Sequence, residues 1–189
     1  MDRQQPTDRE AAVRLFIALW PGPDVVQALR AWTGAAADGA GRHRAPAGHV
    51  HLTLHFLGNV PRALLPDLQS ALRMPFQPFE LALRRCVPWR GGLIVALPDQ
   101  LPPPLALLHA ALGERLRQLA LHTEERPLRP HVTLARHHTG PSPPPLQPPV
   151  RWPVDGFVLA RSAPSPSPSP GHAYHVLQAY ACDGTSSAG

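Results

Sequence analysis

A short motif, His-x-Thr-Leu, occurs twice in this chain, at His51 and again at His131. In both copies apolar residues alternate with the histidine and the threonine, which is the period of a β-strand with one buried face. Side chains two residues apart share a face, so each histidine should project together with its threonine. The motif therefore predicts two strands that each present an imidazole and a hydroxyl on one surface.

The segments that precede the two motifs are also alike. Each begins with an apolar strand, reaches a proline-containing turn and continues into a stretch with helical spacing. The distance along the chain from Ile17 to His51 is close to that from Ile94 to His131. The sequence therefore predicts a repeated strand, helix and motif strand, with both motif strands facing one cleft.

One domain is expected, since a chain of 189 residues buries one substantial core. The repeat divides it into a first lobe at about 12–90 and a second lobe at about 91–182, followed by a frayed tail at 183–189. A hairpin from 152 to 181, built around a Ser-Pro loop at 162–171, is expected to close the sheet of the second lobe.

The basic residues are all arginine, 18 of them against 13 acids, which gives a formal net charge of +5. Arginine offers phosphate a planar, bidentate fork, so this composition suits a polyanionic partner. Abundant alanine, proline and glycine also indicate a coding bias, so charge alone does not decide the function. With 43% hydrophobic and 16% charged residues, a disordered chain is excluded.

The cysteines and the start of the chain carry little functional signal. Cys86 and Cys182 are too few for a disulfide framework and lack the paired spacing of a zinc site. The first apolar run, from Val13 to Trp20, is interrupted by Arg14 and is too short for export or for spanning a membrane. We expect a cytoplasmic monomer that does not associate with membranes.

If the two motif strands face each other, two imidazoles converge with two hydroxyls. One histidine can take a proton from water while the other protonates the departing alkoxide, each contributing about 10²–10⁴-fold to the rate. The hydroxyls of Thr53 and Thr133, with a nearby arginine, can donate hydrogen bonds to the non-bridging phosphate oxygens. This set of groups is what cleavage of a phosphodiester without metal requires.

In this context the motifs resemble those of the two-histidine phosphoesterases, in particular the bacterial and archaeal RNA 2′,3′-cyclic phosphodiesterases, also called 2′-5′ RNA ligases. The resemblance covers most of the chain. The matching stretches are RLFIAL at 14–19, HVHLTLHFLGNV at 49–60, RPHVTLAR at 129–136 and VLARS at 158–162, with Tyr174 after the loop that follows. The resemblance implies an α+β, bilobal, pseudo-duplicated fold in which two antiparallel sheets face a central cleft and the helices lie outside.

The resemblance also implies a role for each matching residue. His51 is expected to protonate the leaving 3′ oxygen and His131 to activate water, while Thr53, Thr133 and Arg136 match residues that contact phosphate. The implied activity opens a terminal 2′,3′-cyclic phosphate, on RNA or on a small cyclic nucleotide, to a 2′-phosphate without metal or cofactor. The reverse joining of RNA ends through a 2′-5′ bond is implied as a minor activity.

Two segments depart from the family pattern. Relatives often carry an aromatic residue shortly before the first motif, where this chain reads Arg42-His43-Arg44, which leaves base stacking at that point open. The Ser-Pro repeat at 162–171 is unusual and could alter how a long RNA reaches the cleft. Neither segment touches the motif residues.

Strict alternation assigns the neighbours of the first motif. It puts His49 and His55 on the face of His51. Phe56 could line the floor of the cleft or fill the core of the first lobe, and its face favours the core. His49 and His51 thus form an alternative metal-binding pair, although no acidic residue lies near the motif to complete a site. The tryptophans near strands are expected in the core, namely Trp20, Trp89 and Trp152. The other histidines are expected on the surface, namely His109, His122, His137 and His138.

Two competing functions remain open at this point. A metal-dependent phosphohydrolase using His49 and His51 would lose its activity in excess chelator. A non-catalytic RNA-binding module would tolerate alanine at His51 and His131, whereas alanine at Arg136 would weaken its binding.

Overall fold

The computed structural model describes residues 12–35, 43–124, 126–137, 144–164 and 172–182. The strands are β1 (Ala12–Leu19), β2 (His43–Arg44), β3 (Leu52–Pro61), β4 (Phe79–Trp89), β5 (Leu93–Pro98), β6 (Val132–Arg136), β7 (Val150–Val154), β8 (Gly156–Pro164) and β9 (His172–Ala181). The helices are α1 (Pro23–Ala35), α2 (Leu65–Ala71) and α3 (Pro103–Gln118), with single 3₁₀ turns at Ala47–His49 and Arg62–Leu64. The predicted tail, most of the Ser-Pro loop and Arg42 lie outside the described residues.

All nine strands form one antiparallel sheet. The order is β7-β4-β5-β6-β3-β1-β8-β9, with β2 paired to β6 beside this path. The helices and this sheet confirm the expected α+β class. The two motif strands, β3 and β6, are neighbours near the middle of the sheet.

The structure contains one continuous sheet where two facing sheets were expected. The joint between its halves is narrow, because β3 and β6 pair only at Leu52 and Val132. Both of these side chains are fully buried in the same core, which holds the two motif strands together at this point. On each side of the joint lie four strands of the main path.

The composition of the two halves also differs from the expected lobes at 12–90 and 91–182. Strand β4 pairs with β5 and β7, whereas the hairpin of β8 and β9, whose existence is confirmed, pairs with β1 rather than closing the second half. The reason lies in β1, where the run Leu15 to Leu19 is buried throughout. A strand that is buried in this way needs a partner on both edges, and β8 supplies the second.

The two faces of the sheet are covered differently. Side chains from all three helices pack on one face and form the main core, with α3 contributing Leu105, Leu108, Leu112 and Leu116. The opposite face, which we call the open face, carries a smaller cluster of Phe16, Ala18, Val158 and Ala160 with Trp20 and Tyr174 packed against it. In the described part of the chain, no helix has both the length and the apolar character needed to cross a membrane.

Candidate active site

The sheet brings the two motifs together on the open face. Because Leu52 pairs with Val132 in antiparallel register, His51 falls opposite Thr133 and His131 falls opposite Thr53. Thr53 and His131 line the same cavity. The arrangement is diagonal, so each histidine lies beside the threonine of the other motif.

A β-bulge follows the threonine of the first motif. On β1 the consecutive residues Ala18 and Ile17 pair with Thr53 and His55, so Leu54 is an extra residue on β3. Directly opposed residues share a face, and Ile17 belongs to the main core. The bulge therefore turns His55 towards the helices.

The second motif has the same irregularity at the equivalent place. On β5, Val95 and Ile94 pair with Thr133 and Ala135, which leaves Leu134 as the extra residue on β6. Ala135 is buried in the main core, as Leu134 is. After each bulge the alternation of faces is reversed.

The reversal has the same consequence five residues after each motif histidine. Strict alternation would put Arg136 on the face opposite His131, but the bulge returns it to the open face, where it is exposed. The equivalent residue of the first motif is Phe56, which pairs with Phe16 of the open face and is 39% exposed. The expectation that Phe56 fills the core is therefore wrong.

His51 lies in an aromatic enclosure. Its Nδ1–H donates a hydrogen bond to the backbone carbonyl of His49 at 2.8 Å. The ring stacks on Trp20 with 5.6 Å between centroids, and it meets the rings of Phe16 and Tyr174 at 5.2 and 5.1 Å. The enclosure fixes the orientation of the imidazole and leaves Nε2 as its remaining hydrogen-bonding atom.

Burial in this enclosure lowers the pKa of His51 from 6.5 to about 4. The hydrogen bond to the carbonyl of His49 favours the charged form, whereas the positive charges of His49, His131 and Arg136 add to the lowering. The influence of His131 and Arg136 on the pKa means that both groups lie within electrostatic range of His51. In the free protein His51 is therefore neutral at pH 7.

His131 is held in the same way but in a more open setting. Its Nδ1–H donates to the backbone carbonyl of Arg129 at 2.8 Å, again two residues earlier in the chain. One ring, that of Trp89, lies against it with 4.6 Å between centroids. Both motif histidines thus present Nε2 towards the open face, with the tautomer set by a backbone carbonyl.

The cavity beside His131 has a volume of about 700 Å³. It is lined by Thr53, Phe56 and Trp89 from the sheet and by Arg126 and Arg129 from the segment before β6. Glu124 also lines it and lies 3.9 Å from Arg126. A volume of this size accommodates a nucleotide-sized ligand, and the aromatic and arginine groups suit a base and a phosphate.

His55 does not share the face of His51 as alternation predicted. It is 4% exposed, its ring stacks on that of His109 at 4.1 Å, and its Nε2 bonds the backbone carbonyl of His109 at 2.9 Å. Burial lowers the pKa of both rings. This pair joins β3 to α3 and corrects the expected surface position of His109.

The tryptophans divide between core and site. Trp152 is buried in the main core as predicted, whereas Trp20 and Trp89 contact the two motif histidines. Sequence reasoning missed both of these site residues. Each stands at the end of a strand next to a turn, Trp20 directly after β1 and Trp89 at the last position of β4. A tryptophan at the end of a strand, next to a turn, was the feature of the sequence that could have indicated a site residue.

The donor atoms around the first motif do not favour the alternative of a metal site. Within the described ranges, no group of three or more histidine, cysteine or carboxylate side chains could hold a metal ion. The carbonyl of His49 holds the Nδ1 of His51. The groups around the motif are aromatic and basic, and they lack the oxygen ligands that Ca²⁺ and Mg²⁺ require.

An antiparallel sheet that presents a His-x-Thr pair from each of two adjacent strands defines a two-histidine phosphoesterase. Residues 18–165 match the sequence profile of the 2′-5′ RNA ligase superfamily. The chain belongs to this superfamily.

Individual relatives agree with this assignment. The RNA 2′,3′-cyclic phosphodiesterase of Thermus thermophilus is 33% identical over 187 aligned positions. The alignment covers 91% of this chain and 91% of the relative. A crystal structure of a phosphoesterase superposes with a TM-score of 0.81 at 25% identity, covering 90% of this chain and 98% of that one. Ligand-free Escherichia coli LigT superposes with a TM-score of 0.79 at 25% identity and the same coverage. These likenesses agree with a phosphoesterase of the two-histidine class.

Proposed function

We propose that this protein hydrolyses the terminal 2′,3′-cyclic phosphate of RNA to a 2′-phosphomonoester, using His51 and His131 as acid and base and no metal ion. The observation that carries the proposal is the diagonal pairing of the two motifs, in which each anchored histidine lies beside the other motif's threonine. The relative from Thermus thermophilus that bears the name RNA 2′,3′-cyclic phosphodiesterase supports RNA as the substrate class.

In the proposed reaction, Nε2 of His131 takes a proton from water, and the oxygen of that water attacks phosphorus. The bond between phosphorus and O3′ breaks, and Nε2 of His51 donates a proton to O3′, leaving a 3′-hydroxyl and a 2′-phosphate. The more open position of His131, beside the cavity, suits the residue that must receive water. The two histidines then exchange protons with solvent to restore the starting state.

The remaining residues act on the phosphate group. The half-buried hydroxyls of Thr53 and Thr133 donate hydrogen bonds to the non-bridging oxygens, and the guanidinium of Arg136 opposes the charge that develops there. The bulge after Thr133 supports this assignment, since it turns Arg136 to the same face as the two histidines.

The same geometry supports the joining of RNA ends through a 2′-5′ bond as a minor activity. If the 5′-hydroxyl of a second RNA takes the place of water, attack on the cyclic phosphate breaks the same bond to O3′ and leaves a 2′-5′ linkage. One phosphate ester bond is formed for the one that is broken, so the number of ester bonds is unchanged and the step can run in both directions. Joined product that resists a ribonuclease specific for 3′-5′ linkages is the expected evidence.

The decisive experiment incubates purified protein in excess chelator with an oligoribonucleotide that ends in a 2′,3′-cyclic phosphate. Phosphorus NMR of the product is expected to show a 2′-phosphomonoester, and His51→Ala and His131→Ala are each expected to slow its formation by about 10²–10⁴-fold. Turnover that stops in chelator and returns with one added metal would support the metal-dependent alternative. Tight RNA binding without turnover, unchanged in both variants, would support the binding module instead. A 3′-phosphate product would overturn the proposed direction of opening.

A further inference from the structure

A second cavity adjoins the one beside His131. Its volume is about 400 Å³, and its lining includes Arg85, Trp89, Leu128 and Arg129. Three of these four, all except Arg85, also line the first cavity. The two cavities are therefore adjacent parts of one groove, which runs from His131 past Trp89 to Arg85.

The floor of this groove is the open face of β4. Arg85, Val87 and Trp89 alternate along the strand, and Val87 pairs with Val95, which in turn pairs with Thr133. Arg85 and Trp89 thus share the face that carries the second motif. From Trp89, which contacts His131, β4 leads back along the chain to the exposed side chain of Arg85.

The charge of the second cavity is positive. Its one acidic side chain, Asp99, lies 3.3 Å from Arg84, which offsets its charge. Among the described residues, neither Arg85 nor Arg129 forms an ion pair with a carboxylate. Two guanidinium groups therefore stand beside one aromatic ring in a groove that is continuous with the catalytic cavity.

We infer that this groove binds the RNA chain on the 5′ side of the cyclic phosphate, with Arg85 contacting the first internucleotide phosphate. The inference rests on the proposed function and names its substrate as an oligoribonucleotide rather than a mononucleotide. With the cyclic phosphate at the two histidines, the chain leaves the terminal ribose through O5′, and its next negative charge lies one nucleotide away. Arginine forks bind such phosphates, and the ring of Trp89 offers a surface on which a base can stack.

The test compares a 2′,3′-cyclic mononucleotide with a dinucleotide that ends in the same cyclic phosphate. We expect kcat/KM of the wild-type protein to be about threefold to tenfold higher for the dinucleotide, which is the range for one partly exposed charge-assisted contact. Arg85→Ala is expected to lower the ratio of the two kcat/KM values to the value that base stacking alone provides. Arg62→Ala, a change of an exposed arginine that lines neither cavity, is the matched control and should keep the wild-type ratio.

A neutral analogue separates charge from stacking. A dinucleotide with a methylphosphonate linkage keeps both bases but lacks the internucleotide charge, so its advantage over the mononucleotide should fall in the wild type and be unaffected by Arg85→Ala. With the natural dinucleotide, the dependence of log kcat/KM on log salt should become shallower by about 0.7 in Arg85→Ala.

The outcomes distinguish this inference from the proposed function. If the wild type opens both substrates at equal kcat/KM, or if Arg85→Ala keeps the full dinucleotide advantage, the groove does not bind the RNA chain, although the proposed function stands. If the wild type opens neither substrate, the proposed function itself fails.

Discussion

Each motif histidine is fixed by the same contact, in which Nδ1–H bonds the backbone carbonyl of the residue two positions earlier. The partners are His49 for His51 and Arg129 for His131, and both distances are 2.8 Å. The two residues differ in their surroundings, since among the described residues three aromatic rings enclose His51 and one, that of Trp89, lies against His131. The two imidazoles are anchored in the same way but buried to different extents, which suits different roles for them, His51 as the acid and His131 as the base.

The two histidines are expected to act as one unit. His51→Ala and His131→Ala should each lower kcat by about 10²–10⁴-fold, and the double variant should lose little more than the worse single variant. The reason is that both proton transfers belong to one transition state, so the second group has little left to assist once the first is missing. Steady-state rates of the four proteins on one cyclic substrate measure this. Losses that multiply would show that the two groups act in separate steps.

The pH dependence should report the shifted pKa of His51. Burial lowers this pKa to about 4 in the free protein, and the negative charge of a bound phosphodiester raises it again. An acid catalyst loses its proton as the pH rises through its pKa. The alkaline limb of kcat, which reports the complex, should therefore lie at higher pH than the alkaline limb of kcat/KM, which reports the free protein.

The measurement is a pair of pH–rate profiles for the wild type and for His51→Ala. His51→Ala should flatten the alkaline limb of the remaining activity. Coincident alkaline limbs for kcat and kcat/KM, or a limb that persists in His51→Ala, would contradict the assignment of His51 as the acid.

Among the secondary-structure elements, the two bulged strands shape the site. Each bulge inserts one leucine after the motif threonine, so that the face of the strand changes between the threonine and the following residues. Because of this change, Arg136 lies on the open face beside the motif histidines, and the ring of His55 points to the other face, where it contacts α3. That contact holds the first motif strand against the longest helix through the ring of His109.

The packing between β3 and α3 predicts the effect of a substitution at Gly113. A Cβ there would lie 3.4 Å from Cε1 of His55, which is an ordinary van der Waals contact. Alanine also lowers the conformational freedom of the unfolded chain, so Gly113→Ala should raise the free energy of unfolding by about 0.5–1 kcal/mol. Urea denaturation measures the change.

Gly156 provides the matched contrast. A Cβ at this position would lie 2.9 Å from the carbonyl oxygen of Tyr180 on the paired strand β9. A backbone carbonyl in a paired strand cannot move aside as the end of a side chain can, so Gly156→Ala should lower the free energy of unfolding by about 1–3 kcal/mol. Equal effects of the two substitutions would show that the contacts around His55 are less accommodating than the distances indicate.

Across the whole molecule, the two halves of the sheet exchange strands along the chain. Strand β4 from the first half of the sequence completes the side that carries the second motif, and the hairpin of β8 and β9 from the end of the chain completes the side of the first. Neither half of the sheet is therefore made from one continuous segment. The site at the joint of the halves depends on this exchange.

The exchange predicts that the expected lobes do not fold separately. A fragment of residues 1–90 leaves β1 without β8 and β4 without both of its neighbours, while a fragment of 91–182 leaves the hairpin without β1. Each fragment exposes apolar surface that the full chain buries, so both should lack cooperative unfolding by circular dichroism. The full chain is the control. A cooperative thermal transition in either fragment would argue for independent lobes.

Local sequence patterns were enough to predict the separate elements and the chemistry of the motifs. Helical spacing of apolar residues at 24–32, 62–72 and 105–119 predicts three helices, which correspond to α1, α2 with its preceding 3₁₀ turn, and α3. The motif strands and the hairpin before the C-terminal tail were also predicted, because periodicity records which side of one segment is buried. The same local pattern supplied His51, His131 and their threonines as candidate residues.

The choice of neighbouring strands, and the face that a side chain takes after a bulge, were visible only in the folded chain. A bulge is a property of two paired strands, so it cannot be seen in one segment of sequence. Strict alternation therefore put His55 and Phe56 on the wrong faces. Arg136 was predicted as a site residue only from the family resemblance, because alternation would have put it on the opposite face. The contacts of Trp20 and Trp89 with the motif histidines depend equally on residues distant in sequence. Periodicity along one segment carries no information about its partners, and it is the partners that join two motifs into a single site.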